Sequence, residues 1–502
     1  MSANIDYLVS NKYSVSNSAT SLTGEVMANI IQSYFPGSEA LPTDTRFNLV
    51  RPSDGAVIGE IAEAGVPGVA AAVASSLATF QALRKTPLHT RIQWLRQAAA
   101  ALKGEAEALA QLIAEDVGKP IRACRFEAQR GVEFIEACAA AVAQIGGEVL
   151  PLDAAATGTG LIGMTRHLPY GVVGAITPFN APINLLVQKL APAVAAGNTV
   201  VVKPAPAGTR TALKLAALFR AAGWPEGLFN VVTGDKETAL ALAAHSDVRA
   251  VSFTGGTQGG EALARAAGAK KFVAELGSNA ANIVLADANL AVAAKKIASA
   301  AFEASGQQCI SAQRVLVQES VFEAFTAQFT AAAAALKVGK PEDPATDVAA
   351  MVSSQAADRV MAMIADAKQH GAVTVLEPSR DGATISPAIL SLVPKAARLW
   401  REEVFGPVAI LVPFKTVEEA IALANDSPFG LQGAVFTSNL ATALQFADDF
   451  DVGSLWINEA SRFRLDMYPF GGVKQSGVGR EGVRYAIEEM SQIKFIGIRP
   501  TA

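Results

Sequence analysis

Short apolar runs alternate with amphipathic segments along most of this chain. From about residue 172 to residue 275, apolar runs with strand character end at short polar or glycine-containing motifs. Segments with helical spacing separate these runs. Short apolar strands joined by helices are typical of a parallel, doubly wound sheet. The strands are predicted at 172–176, 199–202, 229–232, 250–253 and 271–275, and the helices at 184–196, 209–222, 236–245 and 261–267.

A second alternation of the same kind runs from about residue 282 to residue 476. It predicts another α/β unit, because strand-like and helix-like patterns again follow one another. Strands are expected at 315–317, 408–412 and 433–436, and long helices at 321–336, 357–369 and 416–426.

The N-terminal part has a different pattern. We assign no function to the first 45 residues, which are rich in serine and asparagine at their start. Residues 47–60 then alternate apolar and polar side chains around a Ser-Asp-Gly turn, which predicts a β-hairpin. Alanine-rich helical patterns follow at 66–82, 90–117 and 120–145.

Two further stretches predict strands that lie outside both units. Residues 146–169 contain two strand-like pieces split by a small-residue turn, which indicates a projecting hairpin. Residues 492–498 indicate a lone strand after a helix. Because an unpaired strand edge favours pairing with another chain, these stretches predict subunit association as a homodimer or homotetramer.

Composition narrows the class of protein. The chain has 502 residues, of which 51% are hydrophobic and 18% charged, so it is long enough for about three domains or a domain pair with additions. A net charge of −4 without a polybasic run argues against nucleic-acid binding. The three cysteines and four histidines are too few and too scattered for a disulfide framework or a metal site.

The sequence predicts a cytoplasmic protein that does not bind membranes. Its N-terminus lacks a basic segment followed by a long apolar one, as a signal peptide would have. The apolar stretch 168–188 contains several prolines, glycines and asparagines, which a helix exposed to lipid would not tolerate together.

Two side chains are candidates for catalysis. Cys309 lies on a polar loop rich in Gly, Ser and Gln, where a thiolate would be accessible to a substrate, although a buried structural cysteine is the commoner outcome. Glu275 lies where an apolar strand meets a loop. Partial burial would raise its pKa and suit a general base, whereas the alternative is an ion pair with a lysine.

Two other features indicate an anionic ligand. The glycine-rich turn at 253–260 joins a strand to a helix, so backbone N–H groups can approach a phosphate, but such a turn is often only a tight turn. Lys203 follows a predicted parallel strand at the edge where open α/β sheets bind ligands, although a solvated lysine is equally expected there.

In their order along the chain, these residues lie in sequence motifs that resemble those of the aldehyde dehydrogenase superfamily over about residues 47–498. The matching words are PFN at 178–180, GNTVVVKP at 197–204, FNVVTG at 229–234, FTGG at 253–256, ELGSN at 275–279, GQQC at 306–309, EEVFGP at 402–407 and FGGVKQSGVGRE at 470–481.

The resemblance implies an aldehyde dehydrogenase-like α/β fold with two doubly wound parallel-sheet domains and a small β oligomerisation element. The implied dinucleotide-binding domain comprises residues 1–147 and 170–276, with the first 45 or so as an N-terminal extension. The implied catalytic domain comprises 277–480, and residues 148–169 with 484–502 form the oligomerisation element.

The resemblance also implies a mechanism, in which Cys309 attacks the aldehyde carbon and forms a thiohemiacetal and then a thioester. Asn180 would hold the oxyanion, and Glu275 would activate the water that releases the acid. Glu481 is either a proton relay or part of a structural ion pair. The implied cofactor-binding residues are Thr177, Pro178, Phe179, Lys203, Gly234, Phe253, Thr254, Gly255, Gly256, Leu276, Glu403 and Phe405, with Lys203 and Glu403 on the ribose hydroxyls and Phe405 on the nicotinamide.

Departures from the family pattern leave two questions open. Many NAD-preferring relatives carry a glutamate shortly after the Lys-Pro word, but here Ala205 and Pro206 follow, so the cofactor is NAD or NADP. The ELGSN word, together with Arg464-Leu465-Asp466, resembles the branch of lactaldehyde and phosphonoacetaldehyde dehydrogenases. Gln308 stands where some members have an arginine, which weakens a phosphonate or sulfonate substrate.

The residues expected near a small-molecule aldehyde are Gln308, Arg462, Arg464 and Phe470. An arginine there would grip a carboxylate, but we favour the interpretation that one or both bond the backbone and hold the loop. The aromatic residues Phe179, Phe463 and Tyr468 would equally suit an aryl aldehyde.

Two alternatives keep the same fold. One is an enzyme that transfers the acyl group to coenzyme A, against which the intact Glu275 argues. The other is a non-catalytic scaffold, against which the joint presence of Cys309, Glu275 and Asn180 argues.

Overall fold

The computed structural model describes residues 30–40 and 45–500, so most of the N-terminal extension lies outside the described residues. The predicted hairpin at 47–60 is present. Its strands β2 (Arg46–Val50) and β3 (Val57–Ala62) pair antiparallel, and β1 (Ile30–Ile31) adds to β3 in parallel.

Four helices follow, where the sequence predicted three. They are α1 (Gly65–Leu83), α2 (Leu88–Gly104), α3 (Ala106–Val117) and α4 (Ile121–Ala141). The prediction of one helix over 90–117 is wrong, because the chain breaks at Glu105, which has φ −108° and ψ 10°. Gly104 marks the break, since glycine inside a helix costs roughly 1 kcal/mol relative to alanine.

The first large sheet has six strands in the order β22-β10-β9-β6-β7-β8. Its five parallel strands are β6 (Val172–Thr177), β7 (Thr199–Pro204), β8 (Phe229–Val231), β9 (Val248–Thr254) and β10 (Lys271–Glu275). The connecting helices are α5 (Asn184–Ala196), α6 (Thr209–Ala221), α7 (Lys236–Ala244) and α8 (Thr257–Ala267). The strand order reverses between β6 and β9, so this sheet is doubly wound as predicted, and ligands of such sheets bind beyond the carboxyl ends of these strands.

The second large sheet has seven strands in the order β13-β16-β17-β12-β11-β19-β20, and only β13 runs antiparallel to its neighbour. Its strands are β11 (Ala281–Val284), β12 (Arg314–Gln318), β13 (Val373–Leu376), β16 (Ala388–Ser391), β17 (Val408–Phe414), β19 (Gln432–Phe436) and β20 (Ser454–Ile457). The longer helices of this part are α9 (Leu290–Phe302), α10 (Phe322–Ala334), α11 (Ser354–Gln369), α13 (Val417–Asn425) and α14 (Leu440–Asp449).

Short elements complete these two parts. They are α12 (Arg398–Arg401), α15 (Val483–Glu489), β14 (Arg380–Asp381), β15 (Thr384–Ile385), β18 (Phe429–Gly430), β21 (Val473–Lys474) and β22 (Gly477–Val478). Strand β22 pairs antiparallel with β10, opposite Ala274 and Glu275. A late segment of the chain therefore closes over the end of the first sheet.

The last sheet joins the predicted hairpin to the C-terminal strand, in the order β23-β5-β4. Strand β23 (Ser491–Ile498) pairs along its whole length with β5 (Ile162–Pro169), which also pairs with β4 (Val149–Leu150). The prediction that 492–498 is a lone strand is therefore wrong, because its partner lies in the same chain about 330 residues earlier, beyond the reach of a local pattern.

Among the described residues, one helix is long and apolar enough to cross a membrane, namely α1. Helices in the core of soluble proteins pass the same test. Val69, Ala72 and Val73 of this helix are buried against Val201 and Val251 of the first sheet.

Candidate active site

The loop before Cys309 has an unusual backbone. Ala304, Ser305 and Gly306 have φ values of 54°, 59° and 63°, so three consecutive residues adopt the left-handed conformation. That conformation is unfavourable for residues with a side chain, and it persists where the surroundings enforce it. The Ser305 hydroxyl donates to the carbonyl of Ala349 at 2.8 Å, and a Cβ at Gly306 would collide with the carbonyl of Gly406.

Cys309 itself is partly buried in an apolar cluster with Ile310, Leu431, Phe470 and Tyr468. Burial raises the pKa of its thiol to about 12, against the opposing effect of the Arg464 charge. The carboxylates of Glu403, Glu275 and Glu481 raise this pKa further. Burial at this position therefore favours the thiol over the thiolate.

Asn180 follows β6 and contacts the nucleophile loop. Its side-chain Nδ2 donates to the backbone carbonyl of Gln307 at 3.0 Å, and its backbone carbonyl accepts from Lys119 Nζ at 3.1 Å. An amide carries two N–H groups, so one remains for a second acceptor.

Glu275 ends β10 and is only 2% exposed. Neither of its carboxylate oxygens has a hydrogen-bond partner in the structure. Burial, reinforced by the charge of Glu481, raises the pKa of Glu275 well above its usual value, in the direction expected from the sequence. A carboxyl group of this kind accepts a proton near neutral pH more readily than an ordinary glutamate.

Glu481, which is also buried, lies between two cations. Its Oε1 accepts from Lys189 Nζ at 3.0 Å, and its Oε2 accepts from Arg464 at 2.9 Å. Although burial acts to raise its pKa, the charges of Lys189 and Arg464 lower the pKa of Glu481 to about 2.

The two arginines expected near the substrate already have partners. Arg464 pairs with Glu481, and its guanidinium carbon lies 3.6 Å from the centre of the Phe470 ring. Arg462 pairs with Glu303 at 2.8 Å. The sequence interpretation was that one or both arginines bond the backbone, but both bond acidic side chains instead. Gln308 is partly buried in the nucleophile loop.

The cofactor candidates on the first sheet all lie at its carboxyl edge. They are Thr177, Pro178 and Phe179 at the end of β6, Lys203 in β7, Gly234 after β8, Phe253, Thr254, Gly255 and Gly256 around the end of β9, and Leu276 after β10. Two hydroxyls there, of Thr254 and Thr257, are buried without a hydrogen-bond partner, and Thr257 begins α8. Unpartnered donors at a helix N-terminus fit the phosphates of a dinucleotide.

Glu403 and Phe405 reach the same edge from the other large sheet. Glu403 Oε1 accepts from the Ser278 N–H at 2.9 Å, and burial raises the pKa of Glu403 to about 7. Phe405 has φ 43° and meets Phe179 edge-to-face, with ring centres 5.9 Å apart. Phe405 therefore lies against the cofactor candidates at the carboxyl edge of the first sheet.

The sequence did not single out several residues of this site. Lys189 is one, although a lone lysine in the apolar helix 184–196 is a visible signal. Gln313 is another: its amide bonds Val404 N, Glu402 O and Leu399 O and so holds the loop of Glu403 and Phe405. Among the described residues, no group of three or more His, Cys, Asp or Glu could hold a metal ion.

Comparisons with known proteins identify the family of the chain. The aldehyde dehydrogenase family matches residues 40–496. Aspartate-semialdehyde dehydrogenase 1 of Pseudomonas canavaninivorans is 39% identical over 453 residues, which are 90% of this chain and 96% of that protein. Lactaldehyde dehydrogenase of Methanocaldococcus jannaschii is 38% identical over 421 residues, which are 83% and 89% of the two chains, and confirms the lactaldehyde-like branch.

Among solved structures, the NADP-dependent glyceraldehyde-3-phosphate dehydrogenase of Bacillus halodurans C-125, complexed with NADP, has a TM-score of 0.88 and 34% identity. The alignment covers 91% of this chain and 96% of that one. The predicted fold, enzyme class and cofactor type are thereby confirmed. The chain belongs to the aldehyde dehydrogenase family and is an NAD(P)-dependent enzyme that oxidises an aldehyde.

Proposed function

We propose that the chain converts an aldehyde into a carboxylic acid through a thioester on Cys309, which water activated by Glu275 then hydrolyses. The observation that carries this proposal is the buried Glu275 carboxyl group, which has no hydrogen-bond partner and a raised pKa, and whose charge acts on the Cys309 thiol. A structural ion pair would have left it a partner.

In the first half of the reaction, the Cys309 thiol releases its proton to solvent, and the thiolate Sγ then bonds to the aldehyde carbon. The oxygen becomes an oxyanion, which the free N–H of the Asn180 amide and the Cys309 backbone N–H stabilise. Each such donor contributes roughly 3 kcal/mol to the transition state. The Arg464 charge favours the thiolate form of the nucleophile.

NAD or NADP supplies the hydride acceptor when bound. Lys203 and Glu403 would hold its ribose hydroxyls, the N-terminus of α8 would bind its pyrophosphate, and Phe405 would orient its nicotinamide. The orphan hydroxyls of Thr254 and Thr257 support this placement. Loss of hydride from the thiohemiacetal carbon to that acceptor would leave the thioester on Cys309.

In the second half, Glu275 takes a proton from water as the water attacks the thioester carbon. The acid leaves, and Cys309 Sγ departs as thiolate. Glu481 is held as an anion by two cations, so its role next to Glu275 is electrostatic: its fixed negative charge helps Glu275 to accept the proton.

The aldehyde carries a group that Gln308, Arg462, Arg464 and Phe470 border. Two of the relatives are named for acidic aldehydes, aspartate semialdehyde and glyceraldehyde 3-phosphate. The ion pairs of both arginines favour loop support over a direct grip on an anion. A substrate panel of lactaldehyde, succinic semialdehyde, phosphonoacetaldehyde, benzaldehyde and an alkanal distinguishes loop support from direct binding. If the arginines bind the substrate directly, the enzyme should strongly prefer the acidic aldehydes.

The experiment that tests this function is a turnover assay with and without coenzyme A. We expect NADH or NADPH formation that does not depend on coenzyme A and that Cys309→Ala abolishes. A rate that rises with coenzyme A indicates acyl transfer instead. A purified wild-type protein without turnover on any aldehyde indicates a scaffold.

We also propose that the protein is a cytoplasmic homodimer or homotetramer. The sheet of β4, β5 and β23 leaves Val149, Ile493 and Phe495 exposed, as a surface for a second copy would. The division into a dinucleotide-binding domain (1–147 and 170–276), a catalytic domain (277–480) and an oligomerisation element (148–169 and 484–502) belongs to the same proposal. Light scattering on Phe495→Lys tests it, since a monomeric variant with an unchanged fold is expected.

A further inference from the structure

A buried ion pair from the N-terminal helical part, Lys119 with Glu127, contacts the backbone of Asn180. Lys119 follows α3, and Glu127 lies in α4. Their side chains are 11% and 2% exposed, and Lys119 Nζ lies 2.5 Å from Glu127 Oε2. A pair this buried needs further hydrogen bonds to offset the loss of water around both charges.

Those further bonds all reach the turn that contains Asn180. Lys119 Nζ donates to the Asn180 carbonyl at 3.1 Å. Glu127 Oε1 accepts from the N–H groups of Ile183 at 2.7 Å and of Asn184 at 3.3 Å. The pair therefore fixes both ends of the segment 180–184, which leads from the turn after β6 to the first residue of α5.

The turn that contains Asn180 also packs closely against α4. Gly131, one turn after Glu127 in α4, faces Ile183, and a Cβ there would lie 2.7 Å from the Ile183 side chain. The turn thus rests directly on α4. On its other side, the Asn180 amide donates to Gln307, two residues before the nucleophile.

We propose that Lys119 and Glu127 are positioning residues, which hold the Asn180 amide where the oxyanion of the substrate develops. This inference rests on the proposed role of Asn180. An oxyanion donor acts only within a narrow range of positions, and a shift of about 1 Å in a reacting group lowers rates by about a hundredfold. The pair touches neither substrate nor cofactor and acts through the backbone of Asn180.

The test is a double-mutant cycle on the first turnover. The double variant Lys119→Met/Glu127→Gln removes both charges together, so no buried charge is left unpaired, and the amide introduced at position 127 still accepts from the Ile183 N–H. We expect the burst of NADH or NADPH at saturating substrates to slow about tenfold to a hundredfold. Asn180→Ala alone should slow it by about a hundredfold to a thousandfold.

The decisive measurement adds Lys119→Met/Glu127→Gln to Asn180→Ala. If the pair acts through Asn180, its removal changes the burst of Asn180→Ala by no more than about twofold. An undiminished effect in that background overturns the proposal and makes the pair merely structural. Alkylation of Cys309 by iodoacetamide needs no oxyanion donor, so its rate should stay unchanged, and an equal loss there also overturns the proposal.

The chain offers a matched control in Lys270. Like Lys119, it holds a turn through Nζ, which donates to the backbone carbonyls of Ala243 and His245, both at 2.7 Å. It lies, however, at the amino end of β10, the opposite edge of the sheet. Lys270→Met should leave the burst unchanged.

The role of Asn180 and the positioning role of the ion pair can be refuted separately. A normal burst in Asn180→Ala refutes the role of Asn180, and with it the positioning role. A slowed Asn180→Ala with a normal Lys119→Met/Glu127→Gln refutes the positioning role alone. If the double variant does not fold, the single variant Lys119→Gln takes its place in the same cycle, with the same expected outcomes. This substitution removes the lysine charge and shortens the donor, but it leaves Glu127 an amide as partner.

Discussion

Glu275 and Glu481 are neighbouring buried glutamates with opposite acid–base properties. Glu275 has no hydrogen-bond partner and a pKa raised well above the usual value. Glu481 bonds Lys189 and Arg464 and has a pKa of about 2. Burial disfavours the charged form of both, so the two cations on Glu481 account for the difference.

This contrast assigns the two side chains different tasks. A pair of carboxyl groups whose surroundings move their pKa values apart can provide one proton acceptor and one permanent charge. Glu275 fits the first task. Glu481 fits the second, and its negative charge is one of the reasons that Glu275 accepts a proton readily.

Removing the proton acceptor should have the largest effect. Glu275→Gln keeps the shape of the side chain and takes away the base. We expect steady-state turnover to fall by about a hundredfold to ten-thousandfold, while the first-turnover burst of NADH or NADPH persists, because hydrolysis alone needs the base. Stopped-flow absorbance measures both.

The control for this variant is Glu459→Gln, which removes a carboxylate paired with Lys296 near the surface. It should turn over at the wild-type rate. A Glu275→Gln enzyme with normal steady-state turnover at neutral pH removes Glu275 from the role of base.

Breaking the ion pair of Glu481 should chiefly affect stability. Lys189→Met leaves a buried carboxylate with one cation fewer, and we expect the free energy of unfolding to fall by about 3–5 kcal/mol. Urea denaturation measures this loss. Adding Glu481→Gln should recover part of it, since the unpaired charge is then gone.

The surface pair of Lys296 with Glu459 again provides the comparison. Lys296→Met should cost at most about 1 kcal/mol, because both side chains of this pair keep contact with solvent, which weakens their attraction. Equal losses for Lys189→Met and Lys296→Met would contradict a special role for the buried pair.

Crowding Glu275 should have a smaller effect. A Cβ at Gly471 would lie 2.9 Å from Glu275 Oε1 and 2.6 Å from the Gly479 carbonyl. Gly471→Ala should therefore lower the free energy of unfolding by about 1–3 kcal/mol and slow hydrolysis more than the burst. Gly146→Ala meets no atom within 4 Å and should change neither quantity.

The pH dependence of stability should distinguish the two glutamates most finely. Because the folded pKa of Glu275 is raised above 4.5, its contribution to stability is present below about pH 4.5 and is lost as the pH rises. Because that of Glu481 is lowered to about 2, its contribution is present above about pH 4.5 and is lost as the pH falls.

The stability of Glu275→Gln relative to the wild type should therefore increase with pH above about 4.5. That of Glu481→Gln should decrease with pH between about 2 and 4.5. Each slope is at most about 1.4 kcal/mol per pH unit, which urea titrations at a series of pH values resolve. Slopes of the same sign would contradict the contrast.

The local parts of the fold were predictable from the sequence. The helix at 184–196 and the strand at 271–275 lie where the patterns placed them, because hydrophobic periodicity reports on neighbours within a few residues. The matched words also named Cys309, Glu275 and Asn180 before any geometry was known, although their roles stay predictions.

Long-range pairing was not predictable in the same way. The pairing of β23 with β5 and the ion pair of Lys189 with Glu481 join residues about 300 positions apart. A side-chain type gives no sign of which opposite charge it will meet. For that reason Arg462 and Arg464 could be placed near the site but not matched to Glu303 and Glu481.

The left-handed run at 304–306 has a consequence for the engineering of this enzyme. Gly306 faces the Gly406 carbonyl at a distance that leaves no room for a Cβ, and Gly406 lies in the loop of Glu403 and Phe405. In a library that randomises the loop, position 306 should return glycine almost alone, whereas position 308 should accept many residues. Directed evolution of substrate range should therefore begin at Gln308 and leave the three residues before Gln307 untouched.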